Sequence, residues 1–278
     1  MFTDAGRLLM ISSGRKLHAI SYSWKNFEPQ LIFFDPSTSS LLQQDMHNLA
    51  FHVTSMVQCV GSFRDGAYRP CPFSKVLEYG EQCEFCSRSL IPIRRCLFDP
   101  ICDGHICDWH LCKRPHAVYI AFYGTKIKVG MTSTARLEER LIEQGADAYF
   151  QVTTAPNRME ARSIERRISA EAHIAQLHRF DELLPLFYQE VDWKGIEQQY
   201  TALSERLGSK MGMQCGPLRF LENYPITLPI RERISPVSIE GMHEGEVLGI
   251  KGRFLLYRHA GVRAINMPVL SGRFVTTV

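Results

Sequence analysis

Nine cysteines occur in the chain, and eight of them, Cys59, Cys71, Cys83, Cys86, Cys96, Cys102, Cys107 and Cys112, fall within 54 residues. Thiolates two residues apart converge on one ion from a tight turn, so Cys83-x2-Cys86 is the sharpest local signal of metal. The other spacings, x11, x11, x9, x5, x4 and x4, match no zinc-finger pattern closely. Eight thiolates fill two closed tetrahedral Zn²⁺ shells, most simply Cys59, Cys71, Cys83 and Cys86 in one and Cys96, Cys102, Cys107 and Cys112 in the other. His105, His110 and His116 are substitute ligands, and Cys59, between Val57 and Val60, also reads as a small buried hydrophobe. An iron–sulfur cluster is the weaker reading, because no closely spaced run of the ferredoxin kind is present. A closed Cys₄ shell leaves no position for water, so such zinc is scaffolding whose binding energy becomes folding energy.

A second set of reactive residue types follows the cysteines, on elements that can be built from pattern alone. Ala117 to Tyr123 and Lys126 to Met131 are β-prone runs separated by Gly124-Thr125, the signature of a two-residue type II′ hairpin. With side chains alternating along a strand, Lys126 and Lys128 share one face, which is wet or touches an anion, and Ile127 and Val129 share the other. Thr134 to Gln144 reads as a helix with Leu137, Leu141 and Ile142 inward, Arg136 and Arg140 outward, and Gly145 as its stop. A third strand, Tyr149 to Thr154, precedes a helix opened by the capping box of Asn157 and Glu160 and buried along Ile164, Ile168 and Ala172. A last helix runs from an Asp192 cap through Ile196, Tyr200, Leu203 and Leu207 to Gly208. From Lys113 to Phe180 there are 11 Lys+Arg against 7 Asp+Glu. Arg158, Arg162 and Arg166 form a row spaced by one helical turn, suited to neutralising phosphates without reading sequence.

The whole chain has 278 residues, 45% of them apolar and 22% charged, with 32 Lys+Arg against 29 Asp+Glu. These values exclude a disordered or collagen-like chain, and the net charge is too mild to argue a nucleic-acid partner by itself. The organisation reads as α+β in four parts: a β-rich segment at 1–58, a cysteine-rich zinc segment at 59–116, a compact α/β unit at 117–207 and a β-rich segment at 208–278. The two β-rich ends are expected to meet in one sheet or small barrel. No stretch approaches the roughly 18 uncharged apolar residues of a membrane span, and the start has only the short run Leu8 to Ile11. The expectation is a soluble, cytoplasmic protein without a membrane partner.

Ala117-Val118-Tyr119 on one strand, Lys128-Val129-Gly130 on the next, Arg140 on the following helix and Glu165 on the last long helix resemble the GIY-YIG nuclease superfamily. The hairpin–helix–strand–helix order is also that of the superfamily. More narrowly, His116 to Ala121, Lys128 to Thr132, Arg140 to Ala146, Ala161 to Glu165 and Leu248 to Gly252 resemble an uncharacterised prokaryotic family of unknown function. The resemblance implies a GIY-YIG-like domain with Tyr119 beside the attacking water, Arg140 on the scissile phosphate and Glu165 holding Mg²⁺ or Mn²⁺. Lys128 stands where the active nucleases carry a second tyrosine, and Gln144 where they often place His or Tyr. Lys128 then contacts phosphate, with Tyr123 or His116 as stand-ins and Arg136 as a rival to Arg140. Lys126, Arg136, Arg158, Arg162 and Arg166 are the expected DNA or RNA contacts. The implied activity is a metal-dependent phosphodiesterase stabilised by two structural Zn²⁺ ions. The alternatives are a non-catalytic DNA-, RNA- or ribosome-associated module, or a protein-interaction scaffold.

Overall fold

The computed structural model describes residues 14–44, 48–64, 66–88, 96, 99–106 and 108–277. The expected apolar run Leu8 to Ile11, the expected ligand Cys107 and the last residue, Val278, lie outside the described residues.

The chain opens with β1 (Lys16–Lys25), β2 (Glu28–Asp35), β3 (Ser40–Gln44) and β4 (Asn48–Val57). The cysteine-rich segment carries the short hairpin of β5 (Ser62–Arg64) and β6 (Ala67–Arg69) and two single-turn helices, α1 (Glu84–Ser87) and α2 (His110–Lys113). Next come β7 (His116–Tyr123), β8 (Lys126–Ser133), α3 (Leu137–Gln144), β9 (Ala148–Ala155) and α4 (Arg158–Ala172). The chain continues through α5 (Phe180–Phe187), α6 (Trp193–Met211), β10 (Arg219–Phe220) and β11 (Ile234–Pro236). It closes with β12 (Gly241–Lys251), β13 (Phe254–Arg258), β14 (Val262–Asn266) and β15 (Arg273–Thr277), giving a mixed, β-rich α+β protein.

Local chemistry sets most of these boundaries. Gly124 turns the β7–β8 hairpin with a φ of +54°, and Tyr123 pairs with Lys126 across it. The Asn157 side chain accepts from Glu160 N–H at 2.9 Å and donates to the Glu160 carboxylate at 2.7 Å, the reciprocal capping box that starts α4. Gly145 ends α3 in the left-handed conformation. Three elements depart from expectation. Helix α6 runs past Gly208 to Met211 and is capped by Gly212, because Gly208 continues the helix at a position where little packs against it. Helix α5 carries Pro185 inside it, which masks it in the sequence, and its Leu183, Leu184 and Phe187 are buried. Strand β3 was not expected, since its run Ser40 to Gln44 is mostly half-exposed or exposed and so lacks an apolar face.

Two sheets form the body of the molecule. The larger has nine strands in the order β11-β14-β13-β12-β4-β15-β1-β2-β3, so strands from both ends of the chain interleave. The smaller has four, β10-β9-β7-β8. Strand β7 is buried at every position. Its Val118, Ile120 and Phe122 pack with Ile168 of α4 and with Ile196, Leu203 and Leu207 of α6. Its opposite face, Tyr119, Ala121 and Tyr123, packs with α3, α5 and the nine-stranded sheet through Leu141, Phe187 and Phe254. This two-sided burial explains why β7 reads as a continuous apolar run instead of an alternating one. Among the described residues no helix is long and apolar enough to cross a membrane.

Candidate functional site

Cys59 follows the end of β4, Cys71 follows β6, Cys83 is the N-cap residue of α1 and Cys86 lies in its single turn. Backbone hydrogen bonds from Cys59 N–H to Lys75 carbonyl (2.8 Å) and from Val60 N–H to Glu81 carbonyl (2.9 Å) hold the loops together. All four Sγ atoms lie within 4.8 Å of one another and all four residues are buried. A tetrahedral Zn²⁺ with Zn–S bonds of about 2.3 Å sets its sulfurs about 3.8 Å apart. Cys71 Sγ and Cys83 Sγ are 3.9 Å apart, so the cluster has the size of a zinc shell and none of these cysteines is in a disulfide. Cys83 N–H donates to Cys59 Sγ at 3.2 Å, a contact that favours its thiolate form. Although burial opposes it, the backbone N–H groups of Lys75 and Phe73 bring the Cys71 thiol down to about 7, whereas burial pushes Cys59 and Cys86 up. A metal ion would displace those protons.

The second expected shell stands differently. Cys96, Cys102 and Cys112 are each buried, and Cys102 Sγ accepts from Gly104 N–H at 3.3 Å. Cys107 is outside the described residues, and among the described ones Cys96, Cys102 and Cys112 form no convergent ligand group. The structure therefore supports one zinc-sized cluster, not a count of two.

The second candidate site forms where α3 covers the Tyr119 face of β7. Tyr119 is 1% exposed and pairs across the hairpin with Gly130, whose missing side chain makes room for the ring. A Cβ at Gly130 would lie 2.6 Å from Tyr119 Oη and 2.7 Å from its Cζ. Gln144 is the centre of the hydrogen bonding: its Oε1 accepts from Tyr123 Oη at 2.9 Å and from Lys128 Nζ at 2.8 Å, and its Nε2 approaches Tyr119 Oη at 3.5 Å. Burial holds the Tyr119 phenol up at about 12, against the pull of Arg140 and Gln144, so it is neutral at neutral pH and acts as a hydrogen-bonding group. Burial, then Arg140, pushes Lys128 down to about 8, while Glu165 raises it and Arg253 lowers it further. The four residues Tyr119, Lys128, Arg140 and Glu165 thus share one electrostatic neighbourhood.

Two of these groups are already engaged. Arg140 Nη1 donates to Glu143 at 3.1 Å and its side chain remains 47% exposed. Glu165 is buried, with Oε2 2.6 Å from Arg162 Nη1. Among the described residues it belongs to no group of three or more His, Cys, Asp or Glu side chains that could hold a metal ion. A Mg²⁺ or Mn²⁺ held by this single carboxylate would have to compete with the Arg162 guanidinium and take its remaining oxygens from substrate and water.

The remaining basic candidates differ in their partners. Lys126 is exposed at the hairpin. Arg136 is held by Glu139 at 3.1 Å and Glu143 at 2.8 Å. The Arg158, Arg162, Arg166 row faces the cysteine-rich segment: Arg158 donates to the Cys96 carbonyl at 2.6 Å, Arg166 pairs with Asp99 at 2.8 Å and Arg162 lies 3.5 Å from Asp99. The row docks that segment onto α4.

Sequence reasoning missed Asp147, Lys251 and Arg253. Asp147 and Lys251 form a buried ion pair, and Asp147 Oδ2 also accepts from Gly124 N–H at 2.6 Å. Lys251 and Arg253 flank Gly252 in the turn between β12 and β13, which rests on the end of α3. The signal was Lys251 within the Leu248 to Gly252 motif and Arg253 immediately after it.

A family profile described as protein of unknown function, DUF2797, matches residues 47–275. The chain belongs to this family. The DUF2797 match runs from the start of β4 into β15, so it takes in the cysteine cluster, the Tyr119 neighbourhood and the β12–β13 turn. No curated protein and no solved structure matches the chain.

Proposed function

We propose that the chain is a zinc-stabilised nucleic-acid-binding protein whose GIY-YIG-like site holds a backbone phosphodiester of DNA or RNA. The observation that supports it is the meeting of Tyr119, Tyr123 and Lys128 at Gln144, with the Arg140 charge acting on both Lys128 and Tyr119. Arg140 supplies a permanent planar donor fork, and Lys128 supplies an ammonium that burial makes costly and an anion makes favourable. The neutral Tyr119 phenol adds one further O–H donor. Such contacts fix the backbone and read no base, so affinity falls with salt. The Cys59, Cys71, Cys83 and Cys86 cluster holds Zn²⁺ as a structural clamp on a segment with little apolar surface of its own.

A second reading, phosphodiester hydrolysis at the same site, is favoured by the buried Glu165 carboxylate, whose charge acts on both Lys128 and Tyr119. Gel-shift and plasmid-nicking assays on the zinc-loaded chain, with and without Mn²⁺, separate the two. Binding that weakens in Arg140→Gln, with no cleavage whether or not Mn²⁺ is present, is the expected result for the first reading. Nicking lost in both Glu165→Gln and Arg140→Gln moves the assignment to the second. Absence of binding to single- and double-stranded DNA and to RNA at low salt refutes both.

A further inference from the structure

The β12–β13 turn is fixed from several sides. Gly252 has a φ of +55°, and a Cβ there would sit 2.7 Å from Gln144 C and closer still to Gly145 N, so turn and helix end are in backbone contact. The Gly252 carbonyl accepts from Tyr22 Oη at 2.7 Å and from Trp24 Nε1 at 2.9 Å. Lys251, just before it, is tied to Asp147, and the Arg253 carbonyl accepts from Met267 N–H at 2.9 Å. The half-buried Arg253 side chain therefore leaves an immobile backbone next to Gln144. It lies within electrostatic range of Arg140, Lys128 and Tyr123. Among the described residues neither Arg253 nor Lys128 has a carboxylate at ion-pair distance.

Arg140 has Glu143 as a partner, whereas Lys128 and Arg253, among the described residues, have no carboxylate at ion-pair distance, so the repulsion among the three charges is only partly offset and burial raises its cost. An anion with several oxygens relieves the repulsion, and a tetrahedral phosphate matches guanidinium forks approaching from two directions. We propose that Arg253 is a phosphate-binding residue of this site, so that one phosphate group is gripped by Arg140 and Lys128 from the smaller sheet's side and by Arg253 from the nine-stranded sheet. This rests on the phosphodiester-binding reading and adds that the C-terminal strands supply part of the binding site. A bound phosphate then ties the two sheets together.

The test uses the zinc-loaded full chain with two probes, inorganic phosphate followed by calorimetry and a fluorescent 20-nucleotide oligothymidylate followed by anisotropy from 50 to 300 mM salt, these being on the order of the range over which phosphate contacts are resolved. Arg253→Gln is expected to weaken both probes by about tenfold or more, with Arg253→Lys between it and wild type. It is also expected to reduce the slope of log K against log salt for the oligonucleotide by about 0.7, one phosphate's worth on a single strand. The exposed Arg231→Gln is the surface-charge control. Should Arg253→Gln lose folded structure by circular dichroism, the Lys variant carries the test. Unchanged affinity for both probes in Arg253→Gln, with Arg140→Gln weakened, overturns the inference and leaves the proposed function standing. Phosphate binding that depends on Arg253, without oligonucleotide binding, keeps the inference and removes the nucleic-acid reading. A wild type that binds neither probe overturns both.

Discussion

Removing the Lys251 ammonium is expected to destabilise the protein more than any surface charge change. Lys251 and Asp147 are each 2% exposed, and Lys251 Nζ also lies 5.2 Å from the Phe187 ring centre and 5.5 Å from that of Tyr224. In Lys251→Met the chain length and most of the packing are kept, but the Asp147 carboxylate is left with only the Gly124 N–H. Breaking one side of a buried ion pair costs about 3–5 kcal/mol, because the other charge stays buried without compensation. At roughly 2–4 °C per kcal/mol for a protein near this size, the melting temperature falls by about 10 °C. In Lys251→Met with Asp147→Asn no charge is buried and Gly124 keeps an acceptor, so the loss shrinks to about 1–2 kcal/mol. Thermal and urea unfolding of the zinc-loaded chain measure both variants. A Lys251→Met loss below about 1 kcal/mol, or a double variant as unstable as the single, refutes the claim that breaking this pair leaves an uncompensated buried charge.

Metal analysis of the purified chain is expected to give at least one zinc, released by a chelator with loss of structure in the cysteine-rich segment, and Cys71→Ser abolishes its binding; a zinc content near zero removes the clamp. Phosphate affinity should fall as pH rises through about 8, where Lys128 loses its proton between Arg140, Arg253 and Glu165. Lys128→Arg, charged throughout, should flatten that profile, and a wild type with constant affinity from pH 7 to 9.5, about the range the lysine spans, contradicts it. Gly130→Ala forces its Cβ onto Tyr119, 2.6 Å from Oη in the present geometry, and should cost about 1–3 kcal/mol by overpacking. The cost should vanish in part when Tyr119→Ala is combined with it, and strict additivity in that double-mutant cycle shows the contact to be absent.

Where the determining contacts lie within a few residues, pattern and structure agree. The β7–β8 hairpin, the Asn157–Glu160 box, the Gly145 stop and the Cys83-x2-Cys86 pair are of this kind. Helix α5 was hidden by Pro185 and β3 by its lack of alternation, since both depend on what they pack against. The row Arg158, Arg162, Arg166 has the spacing of a phosphate-facing stripe, yet spacing carries no information about Asp99 and the Cys96 carbonyl, which meet it in space. Gln144 read as a missing acid–base group, and folding makes it the shared acceptor of Tyr123 and Lys128.

What residue order alone determined is the set of local geometries and the kinds of chemistry on offer: soft thiolates near one another, and tyrosine, lysine and arginine on neighbouring elements. Tertiary structure decided which of them meet. It brought Cys59 and Cys71 to the Cys83–Cys86 turn, set the Gly252 turn against the end of α3 and closed Lys251 onto Asp147. The reason is that turns and caps are made by groups a few bonds apart, whereas thiol convergence and charge interaction depend on distances through space that only the packing of two sheets sets.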